Sequence, residues 1–185
     1  MIKSYLITDP SFYTSHPYTL VQKLLHVKEK YQPNYICLRD KHTLDYATLA
    51  HALLDAGIQD AQTKLYLHTD FNLAHELGCD GVHLPSHALS KIATAKALGL
   101  EVIASTHSLH EIEEAEKQGV DAVTFSPIFA TPNKGKPLGL EKLKEINDKI
   151  RVKCFALGGI INEEQVKACE GVGVYGFASI RFFID

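Results

Sequence analysis

Short runs of β-branched and apolar residues alternate along this chain with longer runs in which apolar residues return every three or four positions. The short runs read as strands: Ser4–Thr8, Tyr35–Arg39, Lys64–His68, Gly81–Leu84, Glu101–Ser105, Ala122–Ser126, Lys153–Leu157 and Tyr175–Ser179, eight in all. The long runs read as seven helices: Thr19–Lys30, Asp45–Gln59, Phe71–Leu77, Ser90–Leu98, Leu109–Gln118, Leu140–Lys149 and Glu163–Glu170. Leu109–Gln118 shows the signal best. Leu109, Ile112 and Ala115 form its apolar stripe, and Glu111, Glu113, Glu114 and Lys117 fill the wet side. Ser108 is placed as an N-cap, Glu111 completes a capping box, and Gly119 ends the helix.

Strict alternation of strand and helix demands parallel strands joined by right-handed crossovers. Eight such strands close into a (β/α)8 barrel in one domain, residues 1–185. An open doubly wound sheet is the alternative. It is disfavoured by the strand count and by the lack of a dinucleotide-binding glycine motif after the first strand. The same unit recurs, with no shared motif at a fixed period. Only Arg181–Asp185 follow the last strand, too few for an eighth helix of normal length. The groove beside strands eight and one is therefore expected to be covered by a second copy of the chain, in a homo-oligomer, most simply a dimer.

Composition narrows the partners. The chain has 185 residues, 45% hydrophobic and 22% charged, with a net charge of -3, which argues against nucleic acid or an anionic membrane as the main partner. No apolar run is long enough to span a bilayer, and the N-terminus does not read as a signal peptide. The four cysteines, Cys37, Cys79, Cys154 and Cys169, form no C-x-x-C pair and read as reduced core thiols of a cytoplasmic protein.

In such a barrel, chemistry sits at the C-terminal ends of the strands. Three stretches there are informative. Leu157-Gly158-Gly159-Ile160, with Ala178-Ser179-Ile180, suits a phosphate approached closely by backbone. Arg39-Asp40-Lys41 aims cations at the mouth, where they suit a phosphate or diphosphate. The loop from Ser126 to Lys136 is long enough to serve as a binding loop, and its Lys134 is the residue chosen to reach an anion. Among ten histidines, His68 and His107 stand at strand ends and are the acid/base candidates. His83, inside a strand, fits a hydrogen-bonded core histidine as well as a functional one. A metal cluster of His68, Asp70, His87 and His107 has no supporting spacing motif.

Several ordered motifs carry a resemblance over almost the whole chain. They are Tyr5-Leu6-Ile7-Thr8-Asp9, Leu38-Arg39-Asp40-Lys41, Gly81-Val82-His83-Leu84, Ser105-Thr106-His107-Ser108, Ser126-Pro127-Ile128-Phe129 with Thr131 and Lys134, and Ala156-Leu157-Gly158-Gly159-Ile160. In these the chain resembles the thiamin phosphate synthase and TenI superfamily. The resemblance implies a reaction that joins a pyrimidine diphosphate to a thiazole phosphate through a pyrimidine-methyl cation, with Mg²⁺ and basic side chains on the departing diphosphate. It assigns Arg39, Lys41 and Lys134 to the diphosphate, Ser105 to the pyrimidine and leaving group, and Thr131 with the backbone at Gly159 and Ala178 to the thiazole phosphate. Departures accompany it. Where synthases carry Asn-Asp, this chain has His68-Thr69. The region of their second Mg²⁺ aspartate reads Pro85-Ser86-His87-Ala88, and Cys37 stands in a glutamine-like position. Asp70 remains as the nearby carboxylate for a Mg²⁺ ion. Val82-His83-Leu84-Pro85-Ser86 is closer to TenI-like thiazole tautomerases, whose catalytic histidine aligns here with Pro127. Three functions are therefore open: a divergent synthase, a tautomerase with His68 or His107 as base, and a non-catalytic binder of the phosphorylated ligands.

Overall fold

The computed structural model of the protein describes residues 2–184. Eight parallel strands, β1 (Lys3–Ile7), β2 (Tyr35–Leu38), β3 (Lys64–His68), β4 (Gly81–Leu84), β5 (Glu101–Thr106), β6 (Ala122–Phe125), β7 (Lys153–Leu157) and β8 (Gly176–Ser179), form a closed barrel in chain order. Closure is made by β1, which pairs β2 at Tyr5–Tyr35 and β8 at Tyr5–Ala178. The helices are α1 (Pro10–Tyr13), α2 (Pro17–Tyr31), α3 (Tyr46–Asp55), α4 (Phe71–Leu77), α5 (Ile92–Ala97), α6 (Leu109–Lys117), α7 (Gly139–Asn147) and α8 (Glu163–Val172).

Each strand has two apolar faces, as buried parallel strands must. Leu6, Ile36, Leu65, Val82, Val102, Val123, Cys154 and Phe177 join the outer core beneath the helices. Their alternates Tyr5, Cys37, Tyr66, Ile103, Phe155 and Ala178 fill the barrel interior. Gly81 and Gly176 sit where that interior is tightest. A Cβ at either would lie within 2.6 Å of the Tyr66 or Phe155 ring, respectively.

Several boundaries differ from the pattern in the sequence, each for a local reason. The predicted run to Gln59 stops at Asp55, because Gly57 adopts φ 70° and turns fully buried Ile58 back into the core. The predicted Ser90–Leu98 helix is split into a 3₁₀ segment, Ser86–Lys91, and α5. Helix α1 is too short for periodicity to register. Pro10 opens it, the Asp9 carboxylate caps it, and the Tyr13 hydroxyl donates to the Ile180 carbonyl at 2.7 Å. Part of the groove assigned to a partner copy is covered by the chain's own aromatic residues: Phe183, 2% exposed, stacks on Phe177 and meets the Tyr31 ring edge-on.

A recurrent device also emerges that no sequence period revealed. At the start of β2, β4 and β6, the side chains of Asn34, Asp80 and Asp121 accept the N–H of Ser4, Leu65 and Val102 on the preceding strand. Each pins the register of a strand pair. At β8 the place is taken by Tyr175, whose hydroxyl instead meets that of Tyr35 inside the barrel, at 2.8 Å.

The hydroxyl of Thr124 on β6 is fully buried and has no protein partner. An unsatisfied buried polar group costs about 1–3 kcal/mol. Thr124→Val keeps the shape and the β-branching, and is expected to raise the unfolding free energy by about 1 kcal/mol in urea titrations. A lowered midpoint would show instead that the hydroxyl is bonded, to an internal water.

Candidate active site at the barrel mouth

The inward positions at the C-terminal strand ends surround a cavity of about 340 Å³. Arg39, Lys41, His68, Ser105, His107, Lys134, Thr131, Gly158, Gly159 and Ser179 all line it, as the strand-end reading expects. Ala178 does not; its side chain is packed within the barrel interior. Asp70 does not either; its carboxylate caps α4 by accepting the Leu73 N–H at 2.9 Å.

Three groups hold the cationic side of the mouth in place. The Thr8 hydroxyl accepts the Arg39 N–H at 2.8 Å, and the Asp9 carboxylate accepts from the Arg39 guanidinium at 2.9 Å. The Tyr46 hydroxyl donates to the Leu38 carbonyl and accepts the His68 N–H, tying the ends of β2 and β3 together. Arg39 beside it, then partial burial and Lys134, hold the Lys41 ammonium below its usual range. The binding loop thus brings Lys134 close to the β2 cations. Among the described residues that line the cavity none is an Asp or Glu, while four are Lys or Arg. The fourth is Arg181, which follows the Ala178-Ser179-Ile180 stretch directly and which the sequence reading counted only in the short C-terminal tail.

The floor of the cavity carries a buried hydrogen-bonded chain. His83 is 2% exposed. Its Nδ1 lies 2.8 Å from the Tyr5 hydroxyl and its Nε2 2.8 Å from Ser105 Oγ. Burial, then Cys37 and Tyr66, raises the Tyr5 phenol well above its ordinary range, so it stays protonated. A phenol is a stronger donor than an alcohol. Tyr5 therefore donates to Nδ1, His83 donates from Nε2 to Ser105, and the Ser105 proton is left for the cavity. His83 was legible as a functional residue by one signal: it shares strand parity with inward Gly81.

At the opposite wall, the β6 loop is clamped to the glycine turn. Ile128 N–H donates to the Leu157 carbonyl and Phe129 N–H to that of Gly158, both at 2.9 Å. A Cβ on Gly159 would fall 2.5 Å from the Ala130 carbonyl, so this glycine is required by loop packing. The Ser179 hydroxyl donates to the Ile160 carbonyl and accepts the Arg181 and Phe182 N–H groups. It shapes the phosphate turn, with its own hydrogen-bonding capacity already engaged. His107 has Nδ1 2.9 Å from the Ser126 carbonyl. A carbonyl only accepts, so the neutral ring carries its proton there and leaves Nε2 unprotonated.

This geometry can be set beside known proteins. The family described as thiamine monophosphate synthase matches residues 4–183. The chain belongs to that family. It is 32% identical, over 98% of its own length and 97% of the relative's, to a protein of Aquifex aeolicus (strain VF5) named "Putative thiamine-phosphate synthase 2". It is 31% identical to the thiamine-phosphate synthase of Clostridium novyi (strain NT), covering 96% of this chain and 88% of that one. Among solved structures it is similar to a thiamine phosphate pyrophosphorylase from Pyrococcus furiosus, with a TM-score of 0.75, 26% identity, and coverage of 97% and 85%.

For a thiamine monophosphate synthase family member, the mouth fits a divalent cation poorly. A hard cation needs several oxygen acceptors. The strand-end carboxylates are otherwise engaged: Asp9 by Ser11 N–H and Arg39, Asp40 by Ser15, His42 and Thr43, Asp70 by its helix. Among the described residues no group of three or more His, Cys, Asp or Glu could hold a metal ion. The described residues also contain no helix long and apolar enough to cross a membrane, and all four cysteines are buried and free.

Two site histidines make stability depend on pH. Burial, then His68 and Arg39, pushes His83 down to about 3; burial, then Arg39, Lys41 and His87, pushes His68 down to about 4. Below the ordinary histidine range of about 6.5 the unfolded chain takes up protons that these folded rings refuse. Stability is therefore lost as pH falls from about 6.5 toward 4, by about 1.4 kcal/mol per pH unit from His83 and less from partly exposed His68. Urea titrations at about pH 7 and about pH 5 measure the slope. It should shrink by the larger share in His83→Gln; an unchanged slope would place the linkage elsewhere.

Proposed function

We propose that this protein acts in thiamin biosynthesis by joining a pyrimidine-methyl diphosphate to a thiazole phosphate. The observation that carries this reading is the two-walled mouth. Arg39, Lys41 and Lys134 converge on the β2 side, the Gly158-Gly159 turn with Thr131 lies on the β7 side, and Ser105 opens between them. A ligand with an anion at each end and a reacting carbon in the middle suits that layout.

The chemistry follows from the charges. The bond between the pyrimidine methylene and the diphosphate oxygen breaks, and its electron pair leaves with the diphosphate. The lone pair of the thiazole nitrogen then forms the new carbon–nitrogen bond, with no proton lost because the nitrogen becomes quaternary. Fixed cations where negative charge grows stabilise this separation. Holding the thiazole phosphate at the glycine turn gives the nucleophile its orientation. Incubation with both substrates, with product followed by chromatography, tests the reading. Absence of thiamin phosphate with and without Mg²⁺ would sink it. Lys134→Ala is expected to weaken anion affinity by about 1–3 kcal/mol in calorimetry; unchanged affinity would remove Lys134 from the site.

One observation favours a second reading. His107, whose Nδ1 meets the Ser126 carbonyl, lines the cavity together with Pro127, the position with which the resemblance aligns the catalytic histidine of TenI-like tautomerases. Turnover of a thiazole carboxylate phosphate tautomer, with none of the synthase pair, would select this function. Thiazole phosphate binding with neither turnover would leave a binding protein.

A further inference from the structure

The mouth is unbalanced in a way that bears on how it could hold a diphosphate, taking the synthase reading as its basis. Among the described residues, four Lys or Arg line it and no Asp or Glu does. Asp9 forms a direct ion pair with Arg39 at 2.9 Å and offsets the charge of Lys41 only in small part, from further away. Lys41 is left facing Arg39 and Lys134, and Arg39, then partial burial and Lys134, hold its ammonium below the usual range. At the end of β3 and beyond β4, His68 and His87 line the same cavity, with His68 close to Arg39, Lys41 and His87. Thr69 Oγ1 lies 2.9 Å from His68 Nδ1. With that hydroxyl donating, the neutral ring keeps its proton on Nε2 and is a hydrogen-bond donor. Lys, Arg and an imidazole N–H offer protons where a divalent cation would need lone pairs.

We propose that a diphosphate at the β2–β4 edge of this mouth is bound by Arg39, Lys41, Lys134, His68 and His87 directly, with no divalent metal bridging it to the protein. The donors satisfy its oxygens one by one. A metal ion brought in on the diphosphate would find every nearby carboxylate already engaged and would lie against ammonium and guanidinium groups. The imidazoles at the ends of β3 and β4 thus replace a metal cluster in kind: they supply donors to the ligand in place of acceptors to an ion.

Calorimetry of the whole protein with inorganic diphosphate, in EDTA and then in Mg²⁺, tests this. Affinity in EDTA should equal or exceed that in Mg²⁺. It should fall about tenfold or more in Lys41→Ala and in His68→Ala, the loss of one charged or strongly polarised hydrogen bond. Circular dichroism checks that both variants are folded, and Thr69→Asp offers a second probe. A new carboxylate at that edge should weaken binding in EDTA and make Mg²⁺ strengthen it. Binding seen only with Mg²⁺, or diphosphate affinity absent in both buffers, overturns the proposal. Synthase assays in the same two buffers separate the two ideas. Product formation that requires Mg²⁺ sinks the metal-free site and keeps the synthase. Metal-free diphosphate binding without product keeps the site and sinks the synthase.

Discussion

The pairing of β1 with β8 is the constraint on which the rest of the molecule depends. Once those two strands share a ladder, the sheet has no edges and its inner face becomes a closed column. Tyr5, Tyr35, Tyr66 and Phe155 pack that column solid, with ring centroids 5.3–6.1 Å apart. Side chains one step further along the same inward parity, Arg39, His68, His83 and Ser105, then have nowhere to point but the mouth. The site is thus an extension of the core. The Tyr5–His83–Ser105 chain makes the point concretely, since its first member is a core aromatic and its last faces the cavity.

Electrostatics sets the character of that mouth. A ring of strand ends could carry either sign, and many barrels mix carboxylates with cations to seat a metal ion. Here the acids that remain nearby, Asp9, Asp40 and Asp70, serve backbone caps and the Arg39 ion pair. Their charge organises loops, and the unpaired cations are left to face the cavity. The protein belongs to the thiamine monophosphate synthase family, and its mouth is lined by hydrogen-bond donors.

Stability and function pull against each other at the same residues. Imidazoles held neutral by burial lower the acid tolerance of the fold, and cations held close to one another do not stabilise it. The compensation lies below and outside. A polar plug of Lys64, Glu101 and Tyr66 closes the far end, and the Asn34, Asp80 and Asp121 clamps secure the β1–β2, β3–β4 and β5–β6 pairs.

The sequence by itself determined the number and order of the strands, the closed parallel topology and most of the residues at the mouth. These follow from local periodicity: a buried parallel strand is apolar on both faces, and the first polar residues beyond it mark its end. Arg39, Lys134 and the Gly158-Gly159 turn were legible on that ground. Tertiary structure alone decided what each polar group is committed to. Asp70 and Ser179 look like ligands in a string of letters, yet their oxygens are engaged by N–H groups of the helix or turn that follows. His83 fits a core or a functional residue equally in the sequence and proves to be the link between the core and Ser105, while Phe183 packs on Phe177 and Tyr31 beside β8. The physical reason is that periodicity reports which face a side chain occupies. A hydrogen-bond partner 78 residues away, as Tyr5 is from His83, exists only once the ring has closed.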